Sequence, residues 1–292
     1  MDSESSFLLS EWREDEPYFK FGDKHKRTRP AQGRPWRVAP ENKRLSVHKE
    51  PSTSNALLNV YPHAIEIGSP MGSEGGRIFG FIGMAASLGM SSFAVYFSFL
   101  MFKGGYLFTS LIFSAVAIAA IVGLIFFGNA TLFSPRDLPI LLNRKNRTVS
   151  FFDYKQPHVL KFWSAWGAGE VKTYSWDSLR ARAYKWTVFT GSAARESYHL
   201  NFLFDDPSNP HLCQEIVTAG PAGWWEDGSL WQLYEHIRRY MEDDGPPIQA
   251  GESLRRGGLG KLPTFPPEVI AAAGGAPLSY EDAAKLAGHT SA

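Results

Sequence analysis

Residues 78–102 read IFGFIGMAASLGMSSFAVYFSFLMF, and residues 106–132 read YLFTSLIFSAVAIAAIVGLIFFGNATL. Neither stretch contains a charged residue or histidine, and each exceeds the roughly 20 residues that a helix needs to cross a bilayer. Because a bilayer provides no water for backbone groups, both stretches are predicted to be helical. Only a short turn around Lys103 separates them, so the pattern predicts a two-helix transmembrane hairpin over 76–133. Two helices buried in a soluble core are the disfavoured alternative.

Basic residues predict the orientation of this hairpin. They are frequent on both flanks, whereas the turn contributes only Lys103. By the positive-inside rule, both termini are expected in the cytoplasm, as in a multi-pass protein of a bacterial inner membrane. The N-terminus is acidic and lacks the apolar core of a signal peptide, so no cleaved signal is predicted. The single cysteine, Cys213, excludes an intramolecular disulfide framework.

Small residues in the two apolar stretches mark candidate helix-packing positions, because small side chains let helix backbones approach closely. They are Gly76 and Gly80 in the first stretch, and Ala115, Ala119 and Gly123 in the second. Two interpretations stay open: packing of the hairpin on itself, or self-association and docking of a membrane partner. An ion path normally needs an ionisable group inside the membrane, so the absence of one argues against a transporter.

The remainder of the chain divides into three parts. Residues 1–75 are predicted to be a polar, largely disordered cytoplasmic tail, although the alternating stretch 57–67 is predicted to form a strand that adds to a C-terminal sheet. Residues 134–245 show period-two runs at 137–154, 158–163, 171–176, 180–189 and 198–204, followed by an amphipathic helix with its apolar stripe at 230–241. Residues 246–292 form a Pro- and Gly-rich tail with a short final helix within 277–288.

Consecutive strands with short turns predict an antiparallel β-meander closed by a C-terminal helix. The fold class is therefore a membrane α-helical hairpin plus an α+β domain. The order and length of the elements in this domain are similar to those of pleckstrin-homology-like modules, which is an analogy of fold only.

The sequence contains no recognisable metal-binding, cofactor-binding or catalytic motif, so a non-enzymatic protein is predicted. The net charge of +1 is close to neutral and gives no indication of nucleic-acid binding. Candidate interaction residues are instead aromatic or basic. Trp224 and Trp225 could enter lipid or a partner's pocket, since tryptophan is enriched at interfaces, with filling of the domain core as the alternative for the tryptophans as a set. Arg144, Lys145 and Arg147 follow the second helix and could meet anionic headgroups.

Three stretches carry a resemblance to a known family: LPILLNRKNRTVSFFDY at 138–154, YSWD at 174–177 and LWQLYEHIRRYMEDDGP at 230–246. Together they resemble an uncharacterised proteobacterial family of two-span membrane proteins associated with type VI secretion effector loci. The resemblance implies a binding protein at the inner membrane, such as an immunity protein that neutralises a cognate toxin, and it supplies no catalytic residues. The alternative is a membrane-tethered adaptor whose pleckstrin-like module binds lipid or peptide.

Overall fold

The structure is a computed structural model of the full chain. It describes residues 10–11, 20–21, 35–70, 75–155, 163, 167–189, 194–224, 226–255 and 260–288. Its strands, in chain order, are β1 (Ser10–Glu11), β2 (Lys20–Phe21), β3 (Arg37–Val38), β4 (Leu57–Val60), β5 (Ala64–Ile67), β6 (Ile140–Asn143), β7 (Thr148–Lys155), β8 (Gly167–Ser175), β9 (Leu179–Phe189), β10 (Ala194–Asp206) and β11 (Asn209–Trp224).

Two long apolar helices, α1 (Gly75–Lys103) and α2 (Leu107–Gly128), form the predicted hairpin. A π-helical turn (Asn129–Phe133) extends α2, and Gly105 reverses the chain between the helices with a φ of 82° that glycine adopts without steric cost. Mean hydropathy is 1.5 over Gly80–Lys103 and 2.7 over Leu107–Phe133. By length and composition, both helices could cross a membrane.

The strands form two sheets. In sheet one the order is β4-β5-β6-β7-β8, and every neighbouring pair is antiparallel. In sheet two the order is β1-β3-β9-β10-β11-β2, antiparallel except for the parallel pair of β11 and β2. Helix α3 (Gly228–Glu242) follows β11. The structure thus confirms an α+β arrangement of apolar helices, antiparallel strands and a C-terminal helix.

The apolar hairpin interrupts sheet one between two neighbouring strands. β5 and β6 pair directly, with Ile67 opposite Ile140, yet residues 68–139 between them contain both long helices. The predicted pairing of residues 57–67 with the C-terminal strands is confirmed. The stretch forms two strands, β4 and β5, instead of one. Both ends of the apolar hairpin therefore leave the sheet at the same place.

The main core lies between the two sheets and α3. Phe204 of β10 stacks on Phe151 of β7 with ring centroids 5.6 Å apart, and on Tyr174 of β8 at 4.8 Å. The apolar stripe of α3 completes this core, where Trp231 and Tyr234 are almost fully buried. The amphipathic period of the helix correctly predicted the face that packs on the sheets.

Residues 35–70, assigned by sequence to a largely disordered tail, are folded against the domain. The Lys43 ammonium donates to the carbonyl of Trp176 at 2.7 Å. The carboxylate of Glu235, on α3, accepts hydrogen bonds from the Ser46 hydroxyl at 3.0 Å and the Val47 backbone N–H at 2.9 Å. Such polar contacts leave no hydrophobic period, which is why the sequence pattern missed them.

The C-terminal residues also pack on the domain. α4 (Pro267–Ala272) and the segment before it cover the outer face of sheet one, where the rings of Phe265 and Phe152 lie 4.6 Å apart. The Glu252 carboxylate accepts the backbone N–H of Thr53 at 3.0 Å. α5 (Tyr280–Gly288) confirms the predicted final helix. Residues 246–288 are thus more than a surface linker wherever the structure describes them.

β11 is the longest strand and was not predicted. Its sequence, NPHLCQEIVTAGPAGW, contains two prolines and two glycines, a composition typical of loops. The strand tolerates them through register shifts against β10 and a φ of 71° at Gly220. The Gly220 backbone N–H donates to the carbonyl of Gly68 at 2.8 Å, which joins β11 to the base of the apolar hairpin.

We predict that Glu235→Gln destabilises the fold by about 3 kcal/mol. Removing one partner of a buried ion pair typically costs about 3–5 kcal/mol. We expect the lower value here because Arg238 keeps a second carboxylate partner, Asp243, at 2.8 Å. Burial raises the pKa of Glu235, but hydrogen bonds from Arg238, Val47 and Arg239 outweigh it and lower the pKa from about 4.5 to about 2. The stabilisation is therefore complete above pH 4.5 and is lost as the pH falls towards 2.

Chemical denaturation followed by tryptophan fluorescence measures this difference at pH 7 and at low pH. Glu41→Gln is the matched control, since Glu41 pairs with Arg180 at 3.2 Å but its side chain is 78% exposed. The control should change stability by less than about 1 kcal/mol. Equal losses in the two variants would refute the assignment.

Candidate functional site on the apolar hairpin and at its base

The outer surface of the hairpin is the most apolar surface that the structure describes. In the most apolar part of α1 only 11% of the residues are buried, and in the most apolar part of α2 only 6% are buried. Most of the exposed large hydrophobic side chains in the described residues lie between Phe81 and Phe133. Exposed apolar area costs about 25 cal/mol per Å² in water, so transfer of this surface to an apolar environment would be favourable.

Two of the predicted small residues lie between the helices. A Cβ added at Gly80 would collide with the Thr131 hydroxyl, and one added at Gly123 would lie 3.1 Å from the Ser87 hydroxyl. Gly80 and Gly123 therefore let α1 and α2 approach closely, which is packing of the hairpin on itself. Gly76 lies in the first turn of α1, whose side-chain surroundings are outside the described residues.

Ala115 and Ala119 do not share this interface. Both are exposed on the outer surface, whereas Ala117 is buried. Residues four apart in an α-helix are rotated by about 40° relative to each other, so the three predicted positions of α2 drift across the helix surface. Self-association through Ala115 and Ala119 stays a prediction.

Three serines join the helices near the turn, and the sequence analysis did not single them out. The Ser98 hydroxyl lies 2.8 Å from the Ser114 hydroxyl and donates to the Ser110 carbonyl at 3.0 Å. In return the Ser110 hydroxyl donates to the Ser98 carbonyl at 3.0 Å. Hydrogen bonds of this kind stabilise helix pairs in membranes by about 0.6 kcal/mol each. The available signal was the presence of serines near the turn end of both apolar runs.

A groove of about 500 Å³ opens beside this serine cluster. Its walls are aliphatic and aromatic, including Val95, Phe99 and Ile121, and the three serine side chains line one part of it. The serine hydroxyls are already hydrogen-bonded between the helices. A molecule in the groove would therefore make mainly apolar contacts with its walls.

A polar clamp holds the two ends of the hairpin together where they meet sheet one. One oxygen of the fully buried Asp137 carboxylate accepts the Ser69 backbone N–H at 2.9 Å and the Ser69 hydroxyl at 2.7 Å. The other oxygen pairs with the Arg255 guanidinium. Gly68 packs so closely on both charged groups that a Cβ there would collide with them. We call Gly68, Ser69, Asp137 and Arg255 the stem clamp.

The basic residues predicted to meet lipid lie at the other end of β6. Arg147 is held by carboxylates of its own domain, at 2.6 Å from Asp177 and 2.9 Å from Glu242, and its hydrogen bond lowers the pKa of Asp177. The Arg144 guanidinium lies over the Tyr240 ring, 4.9 Å from its centroid.

Lys145 is exposed in the turn between β6 and β7. Arg144, Lys145 and Arg147 therefore do not form one free basic patch, and two of the three act within the fold.

The tryptophans divide between core and surface. Trp176 and Trp231 are fully buried, whereas Trp163 and Trp186 are exposed. Trp224 ends β11 opposite Ser197, but its side chain and the whole of Trp225 lie outside the described residues. Their predicted role in binding stays a prediction.

Two further ionisable side chains, His236 and Glu66, are buried and hydrogen-bonded within the domain. His236 is bonded to Gln249 at 2.8 Å, and burial lowers its pKa to about 4, so the imidazole is neutral at pH 7. Burial raises the pKa of Glu66, which accepts the Tyr61 hydroxyl at 2.8 Å. No group of three or more His, Cys, Asp or Glu within the described ranges could hold a metal ion.

Comparison with known proteins gives one match. A model described as a family of unknown function (DUF6708) matches residues 117–256, just under half of the chain. The match begins inside α2, includes β6 to β11 and α3, and ends one residue after Arg255 of the stem clamp. The chain is thus similar to an uncharacterised family over the part that carried the sequence resemblance. No curated protein and no solved structure matches it.

We predict that Asp137→Ala destabilises the protein by about 3–5 kcal/mol, because it leaves Arg255 largely buried without its carboxylate. Denaturation of the purified full chain measures the loss. Asp153→Ala is the matched control, since the Asp153 side chain is 55% exposed and its partner Lys172 retains Glu215 at 2.6 Å. The stem clamp would have no structural role if both variants unfolded like the wild type.

Proposed function

We propose that the protein is a non-enzymatic binding protein anchored in a bacterial inner membrane. Its α1–α2 hairpin crosses the bilayer twice, and both sheets lie in the cytoplasm. In this proposal the hairpin is both the anchor and the binding surface.

One observation carries the proposal: the apolar hairpin is inserted between two hydrogen-bonded strands. Because Ile67 and Ile140 are paired neighbours, any segment that enters a membrane between them must also return to the same side. Two helices with outward-facing apolar side chains meet that requirement. The frequency of basic residues on the flanks and the single Lys103 in the turn support a cytoplasmic domain.

We also propose that the two sheets and α3 form a pleckstrin-homology-like module. The order of consecutive antiparallel strands followed by one closing helix supports this assignment. The hairpin would then be an insertion within the first sheet of that module.

For the partner, we propose the cognate toxin of a type VI secretion system, which makes the protein an immunity protein. The support is the resemblance carried by 138–154, 174–177 and 230–246. The apolar groove beside Ser98, Ser110 and Ser114 would give a membrane-active toxin a place to pack a helix.

The topology predicts opposite accessibility of the two exposed turns. In a Cys213→Ala background, Gly104→Cys should react with a membrane-impermeant maleimide in intact spheroplasts. Lys145→Cys should react only after lysis, because it lies on the cytoplasmic side. Labelling of Lys145→Cys in intact spheroplasts, or protection of Gly104→Cys, would contradict the proposed arrangement.

A growth assay tests the partner. We expect co-expression with the toxin-like protein encoded next to this gene to restore growth. Replacement of residues 75–133 by an unrelated two-helix hairpin retains the stem clamp and should abolish rescue if the hairpin binds the toxin. Rescue that survives the replacement would place binding in the sheets, and failure of the inserted wild type to rescue would exclude immunity for that pair.

A further inference from the structure

Three basic residues, Arg136, Arg255 and Lys261, lie where the apolar hairpin meets the domain. Arg136 follows the π-helical turn at the end of the second helix by three residues, directly before Asp137 of the stem clamp. The Arg136 backbone N–H donates to the carbonyl of Lys261 at 3.0 Å. The C-terminal segment therefore runs beside this stem and brings Lys261 to the same level.

Among the described residues at this base, basic side chains outnumber the carboxylates that pair with them. The carboxylate of Asp137 pairs with Arg255. Within the described ranges, neither Arg136 nor Lys261 has a carboxylate partner. The Arg136 guanidinium is instead held by a hydrogen bond to the backbone carbonyl of Arg255 at 3.2 Å. Lys261 is exposed and Arg136 is half-buried.

The charge of Arg136 also acts on the neighbouring Arg255 guanidinium. Burial, and next the neighbouring charge of Arg136, lower the pKa of Arg255. The two guanidinium groups lie close together, and the one carboxylate bound between them and the domain pairs with Arg255, so a positive charge is left for an anion to meet. Arginine suits phosphate oxygens in particular, because its planar group donates two parallel hydrogen bonds.

We propose that Arg136 and Lys261 bind the phosphate headgroup of an anionic phospholipid at the base of the hairpin. The inference rests on the proposed function, because the base meets headgroups only if α1 and α2 lie in the bilayer. A residue that ends a membrane helix lies at headgroup depth, where a lipid phosphate is the abundant anion.

The location differs from the one that sequence spacing suggests. Arg144, Lys145 and Arg147 lie at the far end of β6 from the hairpin base. The four residues of β6 separate them from the base by about 13 Å. Lys145 is an exposed lysine on this distant turn, so Lys145→Gln is a matched control for Lys261→Gln.

Native mass spectrometry of the full-length protein tests the proposal. The protein is extracted with equal amounts of phosphatidylglycerol and phosphatidylcholine, and the ratio of the two bound lipids is measured. We expect the wild type to retain phosphatidylglycerol in excess. Arg136→Gln and Lys261→Gln should each reduce that preference about fivefold, which corresponds to about 1 kcal/mol per basic side chain at the membrane surface. Lys145→Gln should leave it within about twofold.

Three outcomes would overturn the proposal: equal retention of both lipids by the wild type, an equal loss in Lys145→Gln, or displacement of the lipid preference by inorganic phosphate alone. Impermeant maleimide labelling of Gly104→Cys in the same variants separates this failure from failure of the proposed function. A labelled turn with no lipid preference rejects the headgroup site only. An unlabelled turn rejects the membrane anchor itself.

Discussion

The pairing of β5 with β6 is the constraint on which the architecture depends. These strands are neighbours in sheet one, with Ile67 opposite Ile140, although residues 68–139 separate them in sequence. The chain must leave the sheet, form two apolar helices and return to the same edge. Two long helices joined by a short turn satisfy this constraint, and two helices that cross a bilayer would place both ends of the hairpin on one side.

The stem clamp protects that pairing. The Asp137 carboxylate binds Ser69 from the outgoing stem and Arg255 from the C-terminal segment, so one buried charge joins three distant parts of the chain. Glu235 does the same for the N-terminal segment and α3. Removing one partner of such a pair leaves a charge buried without compensation, which makes these two residues more sensitive to substitution than the exposed ion pairs.

Much of this could be read from the sequence where the signal is local. The two apolar runs predicted α1 and α2, and the helical stripe at 230–241 predicted α3. The alternation at 57–67 predicted pairing with the C-terminal sheet. Gly80 and Gly123 were singled out as helix-packing positions, and a Cβ at either would press on a side chain of the other helical segment.

What the sequence could not reveal depends on partners far away in the chain. Arg147 was predicted to face lipid because it is basic and follows a helix, yet its carboxylate partners are Asp177 and Glu242. β11 was missed because its prolines and glycines are accommodated by bulges that only the pairing with β10 defines. The stem clamp was invisible because Asp137 and Arg255 are ordinary charged residues until folding brings them together.

The interruption of sheet one also fixes an order of events during synthesis. β4 and β5 leave the ribosome first, but β6 follows only after residues 68–139 have been made, which takes several seconds at about 5–20 residues per second. Throughout that interval β5 has an unpaired edge, the kind of edge that invites aggregation. Arg255 of the stem clamp is synthesised later still. The newborn chain therefore has to place its two apolar helices before its first sheet can close, and the assembly of the domain waits for the hairpin.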